Sequence, residues 1–196
     1  MADVDDAVAA LAAGHLVVIP TDTVYGLACD PSHEESVRRL SQLKGRSPEQ
    51  PIALVAAGEE PLVALVPELR GVALPTGPYT FVVRNPARRL PWLTAARPDT
   101  IGVRLPELSG VARELFDRVG VVAATSANRH GDPDPRRLDD VPRALLEAVA
   151  AILDGGEVPG TPSTVLDLTG AAPRVLREGA IPADEALARV RGQASA

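Results

Sequence analysis

Leu16-Val17-Val18-Ile19, closed by Pro20 and followed by Thr21-Asp22-Thr23, is the stretch on which the fold of this chain turns. Four apolar residues, three of them β-branched, have the length and character of a buried strand. Upstream, Val4 to Ala13 reads as a helix, with Asp3 as N-cap and Gly14 just past its end. A helix feeding directly into a buried strand points to layered α/β architecture. In open α/β sheets ligands bind outside the carboxyl ends of strands, which is where Thr21-Asp22-Thr23 falls.

A second helix is expected from about Glu34 to Lys44. Ser32 or His33 would start it, Val37, Leu40 and Leu43 share a face, and Gly45 stops it. Ile52–Ala56 reads as a strand and Glu59–Val66 as a short helix. Tyr79–Arg84 and Ile101–Leu105 are further strands, separated by a Pro/Arg-rich loop. Helix Val111–Val119 leads into strand Val121–Ala124. Leu138–Leu153 reads as a helix with Pro142 in its first turn. Strands Thr164–Leu168 and Arg174–Leu176 lie a turn apart, before a last helix from near Pro182. Strand pairs so close in sequence suit antiparallel neighbours, so strict βαβ alternation is excluded. The expectation is one mixed α/β sheet with flanking helices, spanning residues 1–196 with a core of about 4–182.

Composition narrows the function classes. Of 196 residues, 45% are hydrophobic, enough for a sizeable core, but only 3% are aromatic. The stacking platforms of RNA-binding sheets need several aromatics on one face, which this chain cannot supply. Its net charge of −6 confines any nucleic-acid contact to a local patch. A lone Cys29 forms no internal disulfide, and the apolar runs are too short to span a bilayer. The amino terminus is acidic where a secretory signal would be basic. A cytoplasmic, non-membrane protein is expected.

Polar residues gather in a few places. Thr21-Asp22-Thr23 is either a self-bonded turn or a set of hydroxyls lining a pocket. In Lys44-Gly45-Arg46, Lys44 is explained by the helix end, whereas Arg46 lies beyond the glycine. With Ser47-Pro48 and Pro51 following, the two cations could converge on a triphosphate, Lys as a point charge and Arg as a fork. Thr125-Ser126-Ala127-Asn128 is either a turn or a close-approach ligand loop. Arg104, inside Ile101-Gly102-Val103-Arg104-Leu105, is either solvent-facing or paired with a buried anion, and Arg177 repeats the situation. The glycine-rich phosphate cradles GxxxxGK[ST] and GxGxxG are missing, and the three His and one Cys show no metal spacing.

Taken in order, seven segments resemble the YrdC/Sua5 family of threonylcarbamoyl-AMP synthases. They are IPTDTVYGL (19–27), KGR with its downstream QPI (44–52), GPYTFVV (77–83), TIGVRLPE (100–107), ATSAN (124–128), STVLDL (163–168) and VLREGAI (175–181). The resemblance implies a twisted α/β domain with a concave, positively charged cavity. It also implies a nucleotidyltransferase that condenses L-threonine, bicarbonate and ATP, with Mg2+, into threonylcarbamoyl-AMP and pyrophosphate. The product serves t6A modification of ANN-decoding tRNAs through a downstream threonylcarbamoyl-transferase complex, and binding of tRNA or double-stranded RNA comes with the resemblance. No tightly bound organic cofactor is implied, and no metal ligands of the protein's own.

The family's KxR…SxN signature falls on Lys44, Arg46, Ser126 and Asn128, with Lys44 and Arg46 cast as the catalytic pair. Thr100 and Arg177 join them as ATP contacts by motif position. Thr21, Thr23, Arg104, Ser163 and Thr164 would hold threonine. Departures fall at Pro75-Thr76-Gly77-Pro78 and after Asn128, where Asp134 stands at a position that is often Ser. They leave two alternatives: an RNA- or nucleotide-binding relative without catalysis, or a related carbamoyl or acyl transferase with another substrate. The chain also resembles the short form, without the longer members' extra C-terminal domain.

Overall fold

The computed structural model describes residues 2–47 and 50–193; residues 1, 48, 49 and 194–196, Pro48 after the KGR segment among them, lie outside the described residues. The helices are α1 (Val4–Ala12), α2 (Glu34–Leu43), α3 (Glu59–Leu65), α4 (Pro91–Thr94), α5 (Gly110–Val119), α6 (Arg143–Leu146) and α7 (Ala183–Gln193). The strands are β1 (Val17–Ile19), β2 (Gly26–Cys29), β3 (Ala53–Ala56), β4 (Tyr79–Arg84), β5 (Thr100–Arg104), β6 (Val121–Ser126), β7 (Ala151–Ile152), β8 (Thr164–Asp167) and β9 (Arg174–Arg177). Among the described residues they form one sheet ordered β7-β1-β2-β6-β3-β5-β4-β8-β9. β1/β7, β3/β5 and β4/β8 run parallel and the other neighbours antiparallel. The mixed α/β sheet expected from sequence is the fold observed.

Local chemistry places the elements. Asp3 and Asp6 form a reciprocal capping box on α1, an arrangement that stabilises a helix start by about 1 kcal/mol. Gly45 takes φ +62°, so the chain turns sharply out of α2 and releases Arg46 from the helix.

Two expectations fail. Leu138–Leu153 is not one helix: a 3-10 turn (Leu138–Asp140) and the four-residue α6 flank Pro142, and β7 follows. Val141 and Leu145 are buried at helical spacing, but Pro142 cannot donate to the ladder. Beyond α6, Ala150 N donates to Leu16 O and residues 151–152 pair with β1. The second miss is β2, whose Gly-Leu-Ala-Cys is buried on both faces and shows no alternation to read.

The two sheet faces are covered unequally. One packs Leu27, Leu54, Phe81, Ile101, Val103, Ala123 and Leu166 into the main core with Val37 and Leu40 of α2. On the other, α1 and α5 cover Val17, Ile19, Ala28, Val122, Val55 and Ala124 in a second cluster. Where that cover stops, Val55 and Ala124 also line an open cavity. No described helix is long and apolar enough to cross a membrane.

Candidate functional site

The cavity lies where the sequence placed it, at the carboxyl ends of β1, β5, β6 and β9, and from there it extends onto the open sheet face. Gly26, Ala53 and Ala124 form its floor. Residues without long side chains on neighbouring strands leave that face recessed, and Gly26 lies opposite Ser126 and Ala53 opposite Ala124. Alternation along each strand then sends Ser126, Val55 and Val165 to the same side as Ala124, Ala53 and Ser163.

One wall joins the KGR and SAN segments. Lys44 is buried; its Nζ donates to Ser126 O, to Ser126 Oγ at 3.2 Å and to Asn128 Oδ1 at 2.7 Å. Ser126 Oγ also donates to Asn128 Oδ1 at 2.7 Å. Arg46 donates from Nη1 to Thr125 Oγ1 at 2.6 Å and from Nη2 to Pro51 O at 3.0 Å, while its buried Nε has no partner. His130, which is exposed, links the loop to α2 through its backbone N–H on Lys44 O at 3.2 Å. Burial, then the neighbouring Arg46 charge, bring Lys44 down to about 8, against a smaller opposing pull from Asp134. Burial likewise lowers Arg46. Both cations are thus held where an added anion would be favoured.

The facing wall comes from β4, β5, β8 and β9. Arg104 is buried, and its Nη2 donates to the Asp22 carboxylate and to Thr23 Oγ1 at 2.7 Å. The buried anion expected beside Arg104 is therefore supplied by the chain itself, from 82 residues away. Arg104 Nε is also buried without a partner. Burial pushes the Asp22 carboxyl up, against the pull of Arg104. Thr21 Oγ1 donates to Val24 O at 2.7 Å and accepts the Val24 N–H, so the turn and the cavity-lining readings hold together. Ser163 Oγ lies 2.7 Å from Thr80 Oγ1, and Arg177 Nη2 donates to Ser163 O at 2.8 Å. A Cβ on Gly179 would sit 2.2 Å from Pro162 O, so only glycine lets the turn after β9 press on this segment.

Of the expected site residues, Arg46, Ser126, Arg177, Thr21, Thr23, Arg104 and Ser163 line the cavity. Lys44 and Asn128 stand behind its wall. Thr164, one step out of phase with Ser163, turns its hydroxyl to Ile181 O at 2.6 Å and accepts from Gly179 N and Ile181 N. Thr100 lies at the far end of β5 from Arg104, its hydroxyl on Arg97 O at 3.0 Å. Neither is brought to the cavity. Thr80, Thr125, Asp22 and Asp134 also stand at or beside the cavity, although none is among the residues expected to hold ATP or threonine. Each has a signal in the sequence: Thr80 lies in GPYTFVV, Thr125 in ATSAN, Asp22 in IPTDTVYGL and Asp134 among the departures after Asn128, and the pairing of β4 with β8 is what sets Thr80 beside Ser163.

The comparisons with known proteins bear on this geometry. The family profile Sua5_yciO_yrdC, described as telomere recombination, matches residues 9–179. A putative threonylcarbamoyl-AMP synthase of Mycobacterium tuberculosis is 37% identical over 194 residues, covering 95% of this chain and 88% of its own. The threonylcarbamoyl-AMP synthase of Stenotrophomonas maltophilia is 36% identical over 159 residues, covering 77% and 85%. Pyrococcus abyssi Sua5 complexed with L-threonine superposes at a TM-score of 0.80 and 32% identity over 96% of this chain. This chain spans 57% of that longer one. Escherichia coli YciO shares the fold at a TM-score of 0.77 and 24% identity, covering 91% and 90%. With the profile spanning most of its length and relatives of this similarity, the chain belongs to the Sua5/YciO/YrdC family.

Proposed function

We propose that this protein is a threonylcarbamoyl-AMP synthase: it forms threonylcarbamoyl-AMP and pyrophosphate from L-threonine, bicarbonate and ATP, for t6A modification of tRNA. The observation that carries the reading is the interlocked KGR–SAN wall facing Arg104, Arg177 and Ser163 across one cavity. The named relatives and the threonine-bound Pyrococcus structure support it.

In this reading Arg46 and Ser126 hold the triphosphate, and Lys44 and Asn128 brace them from behind. Arg177 contacts ATP from the facing wall. Arg104, with Thr21, Thr23 and Ser163, receives the threonine carboxylate or its carbamate, and the unpartnered Arg104 Nε marks donor capacity there. The threonine amine and bicarbonate condense to the carbamate with loss of water, and a carbamate oxygen then bonds to the α-phosphorus as the bond to pyrophosphate breaks. The negative charge ends on pyrophosphate beside Arg46. Such a transfer needs positioning and charge neutralisation and no protein nucleophile.

Among the described residues no group of three or more His, Cys, Asp or Glu could hold a metal ion. Magnesium would enter this cavity on the nucleotide phosphates and neutralise their charge there, with Asp134 the carboxylate lining the same space. Thr100 and Thr164 are left to structural roles here.

Pyrophosphate release that depends on both threonine and bicarbonate is the expected result. Folded protein that releases none sinks the proposal and leaves the RNA- or nucleotide-binding alternative. Equal turnover with serine in place of threonine would favour the other-substrate transferase. Delivery to a threonylcarbamoyl-transferase complex, and direct contact with tRNA or double-stranded RNA, belong to the same proposal. Retention of tRNA in a filter-binding titration tests the latter.

A further inference from the structure

Asp134 is an acidic side chain in a cavity that otherwise offers cations to an anionic ligand. It lines the same space as Arg46, Ser126 and Arg177. Its Oδ1 accepts from Asn128 Nδ2 at 3.1 Å, and that nitrogen also donates to Asp132 O at 2.7 Å. Asn128 Oδ1 meanwhile receives Lys44 and Ser126. The amide thus has donors on its oxygen side and acceptors on its nitrogen side, leaving it one orientation. Asp22, the other carboxylate near the cavity, is neutralised by Arg104. Among the described residues no cation comes within ion-pair distance of Asp134, so its charge is not cancelled in the same way.

A carboxylate without an ion-paired cation at the wall that holds a triphosphate repels the free nucleotide, and Lys44 behind that wall offsets it only at longer range. A divalent ion on the phosphates reverses that sign, since magnesium takes one or two carboxylates alongside phosphate oxygens and water. Building on the ATP reading above, we propose that Asp134 makes the nucleotide subsite selective for metal-complexed over metal-free triphosphate. The competing role is purely local, as the acceptor that orients Asn128.

Asp134→Asn separates the two, because the amide oxygen can still accept from Asn128 while the charge is gone. Calorimetric titration with ATP, once in excess Mg2+ and once in EDTA, gives the ratio of affinities for the two forms. The native chain is expected to favour Mg-ATP by about tenfold, the size of one largely solvent-screened charge contact. In Asp134→Asn that ratio should narrow to about threefold or less, mainly through tighter binding of free ATP. Asp132→Asn, an exposed carboxylate outside the cavity, should leave it unchanged. An unaltered ratio in Asp134→Asn, a native chain without metal preference, or equal weakening of both forms would overturn the proposal. Failure of the folded native chain to bind ATP in either form overturns the ATP reading itself, an outcome distinct from all three.

Discussion

Strands β4, β5, β8 and β9 carry an arginine–carboxylate cluster at each end, and the two clusters are built differently. At the cavity end, Arg104 and Asp22 are both about nine-tenths buried, and the Nε atoms of Arg104 and Arg46 are left without partners. At the other end, roughly 13 Å along β4, a buried Asp167 gathers exposed arginines. Arg174 lies 2.9 Å and Arg97 3.8 Å from it, 70% and 52% exposed, while Arg84 donates to Thr169 O at 2.9 Å. Burial would push the Asp167 carboxyl up, but hydrogen bonds from Thr169 and Arg174, with Arg97 nearby, more than offset it and hold it at about 2. One end keeps its cations short of partners; the other surrounds a single carboxylate with donors. The first keeps donor capacity facing the cavity, whereas the second ties a strand end to its turn.

Breaking the pairs should therefore have unequal consequences. The largest effect is expected for Asp22→Ala, which leaves a buried guanidinium uncompensated and should cost about 3 kcal/mol in urea unfolding. Adding Arg104→Met should restore much of that loss, since the stranded charge goes with it. Arg46→Ala comes next: ATP affinity should fall by about 2 kcal/mol, roughly thirtyfold in Kd by calorimetry, with a nearly unchanged melting temperature.

Asp167→Asn should destabilise by about 1–2 kcal/mol at neutral pH through lost hydrogen bonds. It should also change the acid limb of the stability curve. The Asp167 carboxyl is lowered from 3.8 to about 2, so the unfolded chain takes up the proton first as pH drops. Its contribution is complete above the higher value and disappears as pH falls through the lower one, and the variant should be flatter across that window. The smallest effect is expected for Arg174→Ala, below about 0.5 kcal/mol in a thermal melt, because that guanidinium is already solvated.

How much of this was legible in advance follows from the range of the interactions. The capped helix at 4–12, the stop at Gly45 and the β-branched run at 17–19 depend on neighbours a few residues away, and they read directly. β2 did not, because burial on both faces erases alternation. Neither did the break after α6, because the apolar spacing there persists through Pro142 and into a short strand whose partners, β1 and α1, lie more than 100 residues away. Ser163 and Thr164 looked equivalent as a pair, yet strand alternation sends one into the cavity and the other under Ile181.

By itself, the order of residues determined an α/β chain of this family and the motifs that come together in the KGR–SAN wall. Only the tertiary structure decided that Lys44 stands behind that wall, that Asp22 is the anion of Arg104, that Thr100 lies at the far strand end, and that Asp134 faces the cavity. Contacts between residues some 80 positions apart are set by strand order and register. Composition and local spacing carry no record of which strand lies beside which.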